Sequence, residues 1–273
     1  MSTGIDYDEE WSQRIVQIYS TPDVVAQREA VLSTLDLQQG EYVLDIGSGP
    51  GLLAHDIAKA VGQTGMVRGI DISDAMVALS EERCSNLPFV EFQVADATEL
   101  PFPNDEFNVA VSTQVYEYVK DVSAALNELY RVLRPGGRAL ILNTDWETLI
   151  WNTSDQERMK GILAAFEEHC SHPRLPRILA PKLREAGFSI QRQDVFPLFN
   201  PKYHSDTYSH GVIDFIASFV SGKGHIAPRI IKEWAEDLRD LGKKDEYFFG
   251  INRYLFLVGK PVAGKRFKKT QGN

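Results

Sequence analysis

Three acids and a glycine-rich turn carry the chemical signal in this chain. Asp45 sits in the apolar run 41–47, Asp71 closes the run 66–71 and Asp96 follows the run 89–94. Between the first two lies Gly47-Ser48-Gly49-Pro50-Gly51. A glycine turn between a strand and a helix lets the backbone come close to a ligand, and the helix behind it offers unpaired N–H groups. A carboxylate at the end of the next strand accepts hydrogen bonds from both hydroxyls of a ribose. Ile72 and Met76 are then placed to sandwich a purine, and Asp96 with Ala97 to read its edge. The turn lacks the lysine of a phosphate-binding loop, and it departs from the G-x-G-x-x-G spacing of a pyrophosphate turn. Asp45 would repel a pyrophosphate but suits a ligand carrying an ammonium or sulfonium cation.

These residues need strands that end together. The runs 41–47, 66–71, 89–94, 107–112 and 138–143 read as buried strands. They alternate with helical spacing at 52–61, 73–84 and 122–133, the last stopped by Arg134-Pro135-Gly136-Gly137. Such alternation predicts an α/β fold, a Rossmann-like, mostly parallel sheet with helices on both faces. Right-handed crossovers bring the carboxyl ends of the strands, and with them Asp45, Asp71, Asp96 and Gln114, to one edge. Two further strands, 188–195 and 247–258, would complete seven. About 50 residues separate them, far beyond an ordinary connection, with room for helices at 206–220 and 227–241. The expected organisation is one domain. A helical lid occupies 1–37, the core 38–195 and 247–260, a substrate cap 196–246 and a flexible tail 261–273. Lys265, Arg266, Lys268 and Lys269 make that tail basic.

The order LDIGSGPG, GIDIS, VADATELPF, FNVAVSTQV and LYRVLRPGGRALIL resembles class I S-adenosylmethionine-dependent methyltransferases, in the small-molecule branch that includes the ubiquinone and menaquinone C-methyltransferases. The resemblance is close over residues 35–145 and its fold extends to about residue 260. It implies S-adenosylmethionine as cofactor. Asp45, Gly47 and Gly49 would line its methionine part, Asp71 would hold the ribose, Ile72 and Met76 would flank the adenine, and Asp96 and Ala97 would address its amino group. Gln114 would sit beneath the methionine moiety, and Tyr19 would reach in from the N-terminal helices. Arg28 is a candidate partner for the methionine carboxylate, with a solvated helix face as the simpler reading.

The acceptor leaves a fainter trace. A methyl group on a sulfonium is already activated, so an enzyme must align an electron pair with it, supply a base where needed and keep water out. Tyr116, Glu117 and Tyr118 follow the fourth strand, and Asp145 and Trp146 the fifth. Tyr203, His204, Tyr208 and His210 stand at the mouth of the insertion. Tyr116 and His204 are the candidate catalytic residues. Trp146, Trp151, Phe196, Phe199 and Tyr203 offer an aromatic wall, which points to a small aromatic or apolar acceptor methylated at O, N or C. Ser112-Thr113-Gln114-Val115 stands where an Asn-Pro-Pro-Tyr-type tetrapeptide would favour amino-group methylation of adenine or glutamine.

Composition trims the alternatives. There are 38 acidic and 29 basic residues, a net charge of -9, which argues against a nucleic-acid partner. Cys84 and Cys170 are the two cysteines, too few for a disulfide framework or for arsenite chemistry. No His/Asp cluster invites a metal. An acidic start without an apolar segment, and no apolar run near a membrane span, give a cytoplasmic expectation with no membrane partner. Two other readings compete with the enzyme. One is a non-catalytic S-adenosylmethionine-binding module or partner subunit, which an intact glycine turn disfavours. The other is a nicotinamide-dependent enzyme, which Asp45 and the position of Gly51 disfavour.

Overall fold

The computed structural model describes residues 9–262; residues 1–8 and the basic tail from 263 onward lie outside that range. A seven-stranded sheet with order β3-β2-β1-β4-β5-β7-β6 forms the centre. Its strands are β1 (Tyr42–Ile46), β2 (Met66–Asp71), β3 (Val90–Val94), β4 (Phe107–Thr113), β5 (Leu133–Trp151), β6 (Ser189–Asn200) and β7 (Phe249–Gly259). The first five run parallel, while β7 lies antiparallel between β5 and β6. The helices are α1 (Glu9–Tyr19), α2 (Pro22–Leu35), α3 (Leu52–Val61), α4 (Asp74–Arg83), α5 (Val122–Val132), α6 (Gln156–Phe166), α7 (Pro176–Glu185), α8 (Tyr208–Lys223) and α9 (Pro228–Lys243).

Alternation along buried strands sends neighbouring side chains to opposite layers. Val43 packs with Ala54, Ile57 and Ala58 of α3 and Val31 and Leu35 of α2, whereas Leu44 packs with Leu126 and Leu129 of α5 and Leu179 and Leu183 of α7. A third apolar cluster lies beyond the strand ends, where α6, α8 and α9 close over Trp146, Trp151 and Phe249.

The fifth strand differs from its expected 138–143. It begins at Leu133, runs through the Pro135–Gly137 breaker and continues to Trp151. Its start pairs with Phe107 of β4, and its far end is carried by β7, which pairs with it from Arg138 to Asp145 and, past a bulge, again at Ile150 and Trp151. Asp145 and Trp146 therefore sit within this strand rather than after it. The sixth strand likewise extends to Asn200 because β7 carries it that far.

Candidate functional site

The glycine turn is built from its hydrogen bonds outward. Gly47 N and Ser48 N both donate to Ile70 O at 2.8 Å, tying the end of β1 to the end of β2. Gly47 has φ +71°, and a Cβ there would lie 2.2 Å from Val115, so both conformation and space require glycine. Gly49, with φ +52°, faces open space: a Cβ would meet nothing within 4 Å. Asp71 locks the turn. Its Oδ2 accepts from Gly49 N at 2.9 Å and its Oδ1 from Ser73 N at 3.0 Å. Burial raises the Asp71 pKa, opposed by the backbone donors of Ser73, Gly49 and Ile72. Ser73 then caps α4 by accepting from Met76 N.

A cavity of about 1090 Å³ opens over this turn. Tyr19, Gly47, Gly49, Asp71, Ile72, Met76, Asp96, Ala97 and Gln114 all line it. Ile72 stands at the rim, 68% exposed, while Met76 and Ala97 are buried. Asp96 uses Oδ1 to accept from Thr98 N and Thr98 Oγ1 at 2.8 and 2.7 Å. Gln114 holds a left-handed φ of +60°, unusual for a side-chain-bearing residue, with its N–H bonded to Leu142 O at 2.7 Å. Arg28 reaches the cavity too, with Nε 2.9 Å from Asp56 Oδ2 and Nη1 3.2 Å from Tyr19 O.

Asp45 is set behind the turn and does not line the cavity. Its Oδ2 has no hydrogen-bond partner. Burial, and secondarily the charge of Asp71, push its pKa up to about 7.

The opposite end of the cavity is apolar. Ile15 and Ile18 of α1, Val24 of α2, Tyr118, Trp146 of β5, and Tyr208, Val212 and Phe215 of α8 line it. The insertion thus contributes its first helix to the wall, while α9 packs behind. The seam between α1 and α8 is tight: a Cβ on Gly211 would lie 2.4 Å from Ile18.

Two expected residues are elsewhere. Tyr116 is fully buried among Leu44, Leu126 and Leu179, with an unpartnered hydroxyl whose pKa burial raises. The turn after β4 carries it into the core and leaves Tyr118 at the cavity. His204 is exposed on the β6–α8 connection, where its Nδ1 accepts from Asp206 N at 3.2 Å. Four turns of helix start beyond it, so Tyr208 reaches the cavity in its place. Of the proposed aromatic wall only Trp146 lines the cavity. Trp151 donates to Tyr247 Oη in the helical layer, Phe199 is exposed, and Tyr203 stacks near Tyr247 and His210.

The burial of Glu117 and of Arg253 went unread in the sequence. Glu117 accepts from Asn143 Nδ2, and burial raises its pKa to about 7 against the lowering effects of Asn143 and Arg253. Arg253 of β7 is fully buried and donates to Gln27 Oε1. A charged residue inside a central, otherwise apolar strand was the available signal.

With this geometry in view, the relatives are informative. The family model described as a methyltransferase domain matches residues 44–141, the stretch that holds the turn and the strand-end acids. Residues 44–141 are thus similar to a methyltransferase domain. An uncharacterized 37.1 kDa protein in transposon TN4556 of Streptomyces fradiae is 35% identical over 179 residues, 64% of this chain and 51% of that one. The 2-phytyl-1,4-naphtoquinone methyltransferase of Synechococcus elongatus is 40% identical over 107 residues, 38% of this chain and 46% of that one. The chain thus spans about half the length of the curated relatives it matches. In fold, it is similar to Haemonchus contortus phosphoethanolamine N-methyltransferase 2 in complex with S-adenosyl-L-methionine. The TM-score is 0.62 at 20% identity, covering 93% of this chain and 58% of that one.

The residues present fit S-adenosylmethionine, the cofactor that the sequence resemblance implies. Open space above Gly49 admits a close ligand, and the orphaned Oδ2 of Asp45 lies behind it. Among the described residues no helix is long and apolar enough to cross a membrane, and no group of three or more His, Cys, Asp or Glu is placed to hold a metal.

Proposed function

We propose that this protein methylates O, N or C of a small aromatic or apolar metabolite in the cytoplasm. The observation that carries the reading is a single cavity that joins the glycine turn and Asp71 at one end to the Tyr118, Trp146, Tyr208 and Phe215 wall at the other. The relatives that act on a naphthoquinone support an apolar acceptor. The net charge of -9 supports a small molecule over nucleic acid.

S-adenosylmethionine supplies a methyl group activated by its positive sulfur. Asp71 holds the ribose hydroxyls with the lone pairs its backbone donors leave over. Asp96 and Ala97 address the adenine edge, with Ile72 and Met76 along its faces. Gly47, Gly49 and Gln114 shape the methionine end, and the Asp45 carboxylate behind the turn favours a cationic ligand. Tyr19 and Ile18 cover the site from α1. The α8 wall orients the acceptor and excludes water, which strengthens every electrostatic contact inside.

Transfer of labelled methyl from S-adenosylmethionine to a panel of small phenols, quinols and apolar amines tests the reading. Label in at least one acceptor is expected. Cofactor binding without transfer to any of them would favour a binding module instead.

A further inference from the structure

Arg253 presents a problem of charge that the cofactor site does not solve. Its side chain is fully buried, and a guanidinium cannot escape burial by losing its proton. Nη1 donates to Gln27 Oε1, but Nε and Nη2 have no hydrogen-bond partner, and among the described residues Arg253 forms no ion pair. A buried cation without a full partner is strongly unfavourable. The acids around it fall short of a full ion pair. Glu117, whose pKa Arg253 lowers, has one oxygen accepting from Asn143 and is pushed up to about 7 by burial, and Asp23 Oδ2 accepts from Asn200 Nδ2 and Tyr208 N at 2.8 and 2.9 Å.

The two groups Arg253 touches both line the cavity. Its guanidinium lies 4.6 Å from the centroid of the Tyr208 ring, and Gln27 has given its carbonyl oxygen to Nη1. Gln27 therefore has its amide N–H groups left to offer. The cation over the ring favours Tyr208 as a donor, working against the burial that raises its pKa. Donors with a fixed positive charge behind them form a cradle for a negative oxygen. Arg28, the other guanidinium at this cavity, is already paired with Asp56.

We propose that Gln27 and Tyr208, backed by Arg253, hold an anionic oxygen of the acceptor, a phenolate or enolate, at the apolar end of the cavity. This rests on the methyltransferase reading. The ring that bears the oxygen packs on Trp146, Phe215 and Ile18. Arg253 is a positioning residue here, since it acts through its two neighbours. An ionised oxygen also makes the acceptor an electron-pair donor without a protein base on the cavity wall.

The test uses the intact protein, with and without S-adenosylhomocysteine, and calorimetric titration with 4-nitrophenol above its pKa and with its neutral methyl ether, 4-nitroanisole. The native protein is expected to bind the phenolate more tightly than the ether. In Arg253→Met the phenolate affinity falls about tenfold or more, the size of a lost charge-assisted contact. The ether and S-adenosylhomocysteine affinities hold. Gln27→Leu and Tyr208→Phe, which leave the buried cation in place, are each expected to weaken the phenolate selectively, and they decide the matter if Arg253→Met does not fold. Three results overturn the proposal: no preference for the phenolate in the native protein, parallel losses of phenolate and ether, or a selective loss of S-adenosylhomocysteine. The last would assign the cation to the cofactor carboxylate. Failure of S-adenosylhomocysteine to bind at all would instead strike the methyltransferase reading, while the titrations without it still report on the anion cradle.

Discussion

Asp45 and Glu117 are both buried carboxyls pushed up to about 7, yet they answer to different neighbours. Asp45 sits behind the glycine turn with the charge of Asp71 near it. A cationic ligand over the turn favours the ionised form, so S-adenosylmethionine affinity should rise several-fold from about pH 6 to about pH 8. Calorimetry across that range should show the rise in the native protein and a flatter, weaker profile in Asp45→Asn. Glu117 affects folding. Its pKa rises from 4.5 in the unfolded chain to about 7 in the fold, so the stability it contributes is full below 4.5 and is lost as pH rises through 7. Glu117→Gln should therefore gain on the native protein as pH increases across that window, by on the order of 3 kcal/mol. Thermal melts in steps of pH check this; a constant offset between the two proteins would contradict it.

At the scale of elements, the glycine turn and the α1–α8 seam make opposite demands on small residues. Gly47→Ala forces a Cβ to 2.2 Å from Val115 at a left-handed φ, so it should lower the melting temperature markedly. Gly49→Ala meets no neighbour and should cost about 1 kcal/mol in the fold. Its Cβ nevertheless enters the ligand space, so S-adenosylmethionine affinity should fall at least as far as in Gly47→Ala variants that remain folded. Gly211→Val drives α8 against Ile18 and should loosen the seam between α1 and α8. Faster limited proteolysis of α1, with the melting temperature of the sheet little changed, is the expected result. The strands and the turn were readable because buried parallel strands and left-handed glycines leave local marks. The residues after β4 were not. Once the chain leaves the strand its two-residue alternation ends, and tertiary packing alone decides that Tyr116 and Glu117 go inward while Tyr118 faces the cavity. His204 failed for a related reason: the chain between β6 and α8 has no period that tells an exposed side chain from a wall residue. Arg253 did leave a mark, a lone charge in the middle of β7, but its partners come from α2 and α8, more than 40 residues away in sequence at the nearer.

For the whole molecule, strand order settles what the pieces do together. The parallel strands deliver their carboxyl ends to one edge. The antiparallel β7, by extending β5 to Trp151, raises Trp146 and the helical layer above that edge. One cavity then spans a polar end over Asp71 and an apolar end against Trp146 and Tyr208, closed by helices from the N-terminal segment and from the insertion. Sequence periodicity predicted both segments as helices. It did not show that α8 meets the cavity while α9 stays behind, because both are amphipathic and only their packing against α1 and α6 distinguishes them.

The cavity over Asp71 is expected to bind S-adenosylmethionine. Calorimetric titration of S-adenosylmethionine and S-adenosylhomocysteine into the native protein and into Asp71→Ala, with circular dichroism to verify folding, tests it most directly. Micromolar binding of both by the native protein, and its loss in the folded variant, are the expected results. Absence of binding to the folded native protein, or unchanged affinity in Asp71→Ala, would contradict it.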